Sequence, residues 1–194
     1  YSPTENYQRV RDAGVEDGVF PIRADARSLP FAENSFDAVV SIDSFMYYGT
    51  DDLYLNFLAR FVKPGGPVAI ALAGLVREID GPAPAPLREW WDAEQPYCLH
   101  SSTWWRRHWE RSNILDVELA DDLPDGWRYW LDWLKRIAPE NVTEIQAVEA
   151  DAGGHLGYVR VVGRRRADAR LFDPHISLPP EYTARPLLRE SESG

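Results

Sequence analysis

Two apolar runs, FDAVVSI at 36–42 and PVAIALAG at 67–74, bracket a segment of helical period, DDLYLNFLARFV at 51–62, whose residues 53, 54, 57, 58, 61 and 62 are apolar. Each run is nearly continuous, the pattern of a strand buried on both faces of a parallel sheet. Parallel strands cannot be joined by a tight turn, so the helix between them has to cross over from one to the next. Lys63-Pro64-Gly65-Gly66 ends that helix and turns the chain into the second run. A strand, a crossover helix and a parallel strand together restrict the chain to an α/β architecture with right-handed connections.

The rest of the chain continues the alternation. A helix is predicted over 3–13, with Ser2 as N-cap, Pro3 at the first helical position, Glu5 closing a capping box and Gly14 as the stop. VFPIRA at 19–24 reads as a short strand. Residues 75–100 interrupt the rhythm with the proline-rich DGPAPAP at 80–86, and form an excursion above the sheet that suits a lid. Ser101 or Ser102 caps a helix TWWRRHWERSN, followed by a strand at 114–120, helices over 125–138 and 141–153, and a last strand at 156–165. Residues 125–152 therefore read as a helical insertion. Residues 167–194, with four prolines after 173 and a Ser/Glu end, read as a disordered tail.

Charge and cysteine usage exclude several function classes. A formal net charge of −10 opposes a surface that tracks nucleic-acid phosphates. The short basic run Arg164 to Arg166 reads as a solvated strand end. The single cysteine, Cys98, rules out an intramolecular disulfide framework and fits a reducing, cytoplasmic setting. His100, His108, His155 and His175 lack paired spacing, so no metal site is expected. No run has the length of a membrane span, and no membrane partner is expected.

The remaining signal is chemical. Asp25 and Asp43 fall where apolar runs end, and in open α/β sheets ligands bind at the carboxyl ends of strands. The stretch RADARSLPFAENSFDAVVSIDSF followed by FLARFVKPGGPVAIA resembles the central half of a class I S-adenosylmethionine-dependent methyltransferase, closely over about residues 1–74 and more loosely to 165. That resemblance implies a Rossmann-like three-layer sandwich with a mostly parallel sheet, and a methyltransferase domain over 1–166 that is partial. The family's glycine-rich loop and ribose-binding acid have no counterpart here, so the resemblance implies that the first strand, first helix and second strand precede Tyr1. The full strand order would be 3-2-1-4-5-7-6, in which the sheet of this chain lacks the first two strands.

The resemblance also assigns residues. Asp25 and Ala26 would meet the adenine of S-adenosylmethionine, and Ile42, Asp43 and Ser44 would lie along its methionine part. Asp25 has an alternative reading as a turn cap. Met46, Tyr47 and Tyr48 would turn over the reaction centre, although Phe45, Tyr47 and Tyr48 read equally well as core aromatics. Asp37 reads as a brace for the start of its strand. The Trp-rich segments 90–109 and 127–133 would shape a cover over a small-molecule acceptor. Methyl transfer is a displacement dominated by placement, so no base is assigned; Asp43, Tyr47, Tyr48 and His100 are the candidates. A second reading is a non-catalytic Rossmann-like interaction module without the cofactor loop.

Overall fold

The structure is a computed structural model that describes residues 3–172. The Ser2 cap and most of the 167–194 segment fall outside the described residues. The chain divides into two units, Tyr1–Phe31 and Ala32–Gly194.

In the first unit, helix α1 (Pro3–Asp12) forms as its start signals require, and Gly14, at φ 64°, takes the left-handed conformation that ends it. The predicted strand at 19–24 does not form. An extended run becomes a strand only when a neighbour completes its hydrogen-bond ladder, and among the described residues none pairs with it. Pro21 also removes one donor. The unit ends in a tight turn in which the Ser28 amide donates to the Asp25 carbonyl at 2.9 Å.

The second unit carries a mixed four-stranded sheet of order β1-β2-β4-β3, with β1 (Val39–Ile42), β2 (Pro67–Leu75), β3 (Leu115–Asp122) and β4 (Leu156–Arg165). β1 and β2 run parallel, and β4 is antiparallel to both β2 and β3, so three strands point one way and the last strand in sequence is inserted against them. This is the 4-5-7-6 half of the implied order. Helix α2 (Tyr54–Ala59) makes the β1-to-β2 crossover. It is shorter than its apolar pattern, because Phe61 and Val62 continue as tight turns, donating three residues back to Leu58 and Ala59.

The turn after α2 is fixed from both sides. Gly65 stands at φ 81°, and a Cβ on Gly66 would lie 2.6 Å from the Asp37 carbonyl oxygen, so only glycine fits where the turn passes beneath β1. Lys63 reaches Asp37 at 2.6 Å and ties the two ends of the crossover, the bracing role expected of Asp37.

Helix α3 (Arg88–Glu94) lies inside the 75–100 excursion, and α4 (Ser102–Glu110) follows it, packing on β3 and β4. Ser101 is the N-cap of α4: its Oγ accepts the Trp104 amide at 3.2 Å and donates to Glu78 at 2.7 Å. Trp105 and Trp109 on α4 are fully buried, with Phe45, Leu72, Leu156 and Val159. Helices α5 (Gly126–Ile137) and α6 (Val142–Asp151) fill the interval before β4, and α6 packs on both α3 and α5. Asp151 anchors the turn into β4 by accepting the His155 and Leu156 amides at 2.8 Å each.

β1 departs from its expected burial. It lies at the edge of the sheet, and its side chains alternate, with Val40 and Ile42 on an exposed face. Burial of a parallel strand on both faces needs a covering layer on each side, and within this unit the face bearing Val40 and Ile42 has none.

Candidate active site

β1 ends at Ile42, and the next residue, Asp43, takes a left-handed backbone at φ 54°. Its amide still donates to the Ala71 carbonyl at 2.9 Å, so the bend is pinned to β2. A short 3-10 turn, Phe45–Tyr47, follows. The bend sends neighbouring residues to different places. Phe45 enters the core, where its ring meets Tyr48, Tyr54, Trp105 and Trp109 edge-on at 5.5 to 5.9 Å. Asp43, Met46 and Tyr47 instead border a cavity of about 640 Å³.

The cavity's other walls come from far along the chain. Ala73 of β2 and Tyr158 of β4 contribute from the sheet; Trp90 and Glu94 from α3; Tyr97, Cys98 and Leu99 from the loop after it. Tyr129, Trp130 and Trp133 come from α5, and Asn141 and Glu144 from the start of α6. Trp90 and Trp130 are buried and meet at 6.0 Å in an edge-to-face pair. Tyr47, Tyr97, Tyr129 and Trp133 are more than half exposed, large apolar surfaces that the fold itself does not cover. The volume lies within the usual range for a small-molecule site.

Glu144 is held in place: it accepts the Trp130 indole N–H at 3.1 Å and the Asn141 amide at 3.4 Å. Desolvation pushes its carboxyl above the ordinary range, the two hydrogen bonds oppose the shift, and Glu94 adds to it. Desolvation also raises the carboxyl of Asp43, the phenol of Tyr47 and the thiol of Cys98. None of the described residues lining the cavity is a lysine, arginine or histidine.

The sequence-assigned residues separate as follows. Ile42, Asp43 and Ser44 are contiguous at the β1 end. The Ser44 Oγ lies 2.9 Å from that of Ser41 and 3.1 Å from the Tyr48 hydroxyl, a chain of three hydroxyls behind the bend. Tyr48 faces inward, its ring 4.6 Å from Tyr54, and does not line the cavity, whereas Tyr47 does. His100 is also outside the lining. Its ring stacks on Trp104 at 3.6 Å, and its Nδ1 lies 3.2 Å from Glu78. Burial raises the Glu78 carboxyl, but hydrogen bonds from His100 and from the Ser101 amide and hydroxyl outweigh it, and the net shift is downward.

Asp25 and Ala26 belong to the first unit. The Asp25 carboxylate is exposed and accepts the Arg27 amide at 2.8 Å, the turn-capping contact, which holds its pKa below the ordinary value. Asn141, Glu144 and Tyr158 were not singled out by the sequence, whereas Glu94 and Tyr129 fall within the Trp-rich segments 90–109 and 127–133 read as cover. Among the described residues no group of three or more His, Cys, Asp and Glu side chains could hold a metal ion, and no helix is long and apolar enough to cross a membrane.

The Methyltransferase domain family matches residues 3–70. Methyltransferase GfsG of Streptomyces halstedii is 43% identical over 63 residues, covering 32% of this chain and 23% of that protein. The ubiquinone/menaquinone biosynthesis C-methyltransferase UbiE of Yersinia pestis is 30% identical over 148 residues, covering 75% of this chain and 49% of that protein. The chain thus spans half or less of these relatives' lengths. Among solved structures, geranyl diphosphate C-methyltransferase of Streptomyces coelicolor A3(2), bound to Mg2+, geranyl diphosphate and S-adenosyl-L-homocysteine, shares the fold. Its TM-score is 0.58 at 22% identity, over 81% of this chain and 58% of that one.

Proposed function

We propose that the chain belongs to the class I S-adenosylmethionine-dependent methyltransferases, as its match to the Methyltransferase domain family over residues 3–70 and its likeness to UbiE support, and that its gene product transfers a methyl group from S-adenosylmethionine to a small molecule held in the cavity beside the β1 end. The observation that carries this reading is the cavity itself. It opens at the carboxyl end of a parallel strand, where α/β sheets bind ligands, and it is covered by aromatic side chains from the 75–100 excursion and from α5.

The residues at the β1 end suit the cofactor's charge. Asp43 borders the cavity with no lysine, arginine or histidine among the lining residues to neutralise it, which leaves its carboxylate open to a cation. Ile42, Asp43 and Ser44 would hold the methionine part. S-adenosylmethionine, when bound, supplies a methyl group on a positively charged sulfur. The chain's own part is placement and exclusion of water. Met46, Trp90 and Trp130 form a dry wall, and the Ser41–Ser44–Tyr48 hydroxyl chain keeps the bend from relaxing.

Of the four candidate bases, the lining favours Asp43. The Tyr47 phenol is raised and keeps its proton at neutral pH, so it serves as a donor to the acceptor. Tyr48 and His100 act as positioning residues, through Ser44 and through Glu78 with the α4 cap. The non-catalytic alternative gains nothing from a segment matched to the methyltransferase domain.

Calorimetric titration of the full-length gene product with S-adenosyl-L-homocysteine tests the reading. Saturable binding is expected. Asp43→Asn should weaken it by roughly tenfold or more, the scale of losing one charge-assisted contact. Absence of binding, or unchanged affinity in the Asp43 variant, would refute the proposal.

A further inference from the structure

We infer that the methyl acceptor is a cationic small molecule whose substituted ammonium group sits among the aromatic side chains of the cavity beside β1, an inference that rests on the methyl-transfer reading of that site. Two independent features of the walls support it. The first is their aromatic content: Tyr47, Trp90, Tyr97, Tyr129, Trp130 and Trp133 converge on one space from a turn, a helix, a loop and a second helix. Ring faces of this kind hold a diffuse positive charge that a hydrated acid or alcohol would not need. Four of these six rings are left more than half exposed, so the fold has not used them as core.

The second feature is the sign of the charge. The ionisable acids on the walls are Asp43, Glu94 and Glu144, and no lining residue carries a positive charge. An anionic acceptor, such as a phosphate ester or a carboxylate, would enter against Glu94 and Glu144 with no counter-charge, Asp43 being matched to the cofactor's sulfonium. A neutral acceptor would leave them as they are. A cation relieves them, and most at Glu144, which is half-buried and held by hydrogen bonds from Trp130 and Asn141. The upward shift of Glu144 agrees, led by desolvation, while Glu94 is exposed and stands as ordinary solvated surface.

The test compares two molecules of the same shape. Choline and 3,3-dimethylbutan-1-ol differ by the exchange of a quaternary nitrogen for carbon. Each is titrated into the chain at matched ionic strength and followed by tryptophan fluorescence, to which Trp90, Trp130 and Trp133 contribute. Saturable binding of choline at least ~10-fold tighter than of the alcohol is expected. Trp133→Leu and Glu144→Gln should each weaken choline by ~5-fold or more while the alcohol is little changed. Trp133 is about half exposed, so that variant keeps its fold, checked by an unshifted thermal melt. Equal affinity for the two molecules, or no saturable response to choline, overturns the inference. Selective choline binding in a gene product that does not bind S-adenosyl-L-homocysteine overturns the methyl-transfer reading instead, and with it the role of acceptor.

Discussion

Lowering the pH from 7 to 5 should destabilise the second unit through one side chain, His108. It is 3% exposed, between Trp104, whose ring lies nearly parallel at 4.7 Å, and the fully buried Trp105. Its Nε2 donates to the Gly49 carbonyl at 3.0 Å, which fixes the proton on that nitrogen and leaves Nδ1 without a hydrogen-bond partner. A second proton would have to go on Nδ1. The nearest acid there is Asp52, 3.7 Å away, and Arg111 already holds that carboxylate.

Desolvation, the largest cause, therefore depresses the His108 pKa from 6.5 to about 4; Arg111 and His100 push the same way, and the Gly49 bond and Asp51 oppose them. The folded state keeps His108 neutral while the unfolded chain takes up a proton near pH 6.5, so stability is complete above pH 6.5 and is lost as pH falls toward 4. A depression of this size corresponds to about 3 kcal/mol in full, of which about 2 kcal/mol is gone by pH 5. The assay is urea unfolding at half-unit steps from pH 7 to 4, of the wild type and of His108→Gln, whose amide can still donate to Gly49. All other titrations are shared, so the difference between the two curves isolates His108. The gap should close or reverse on acidification by roughly 2 to 3 kcal/mol. Parallel curves would refute the reasoning and show that the folded state admits the proton.

Two further predictions concern packing. Trp105→Ala removes a fully buried indole at the meeting of α4 and the sheet and should cost about 3 to 5 kcal/mol, read as a fall in the urea midpoint. Gly74→Ala places a Cβ 2.6 Å from the backbone oxygen of His100, which cannot swing aside, and should cost roughly 1 to 3 kcal/mol. Gly157→Ala in the paired strand meets only the tip of Val76 at 3.2 Å and should cost less than half as much; the reverse order would show that the 75–100 loop yields more readily than its packing implies.

What the sequence determined by itself is the local grammar. The parallel pair and its crossover, the glycine turn at 65–66, the Ser101 cap, the late helices and the last strand all follow from periodicity and turn chemistry, which act over a few residues. The strand-end position of Asp43 follows in the same way. Tertiary structure decided the rest. Residues 19–24 have the composition of a strand and do not form one, because a ladder needs a partner that composition cannot supply. The apolar run of β1 exposes Val40 and Ile42, because a strand's burial belongs to the layers beside it. Tyr47 and Tyr48, adjacent in sequence, part company at the bend, one to the cavity and one to the core. Glu144 gained its place on the cavity wall only when α6 folded back beside α3 and α5, about a hundred residues after Asp43. Long-range packing alone sets which charges share one space, and that is why the acidic side of the cavity was not legible in any stretch of the chain, although the Trp-rich segments that supply part of its aromatic wall were.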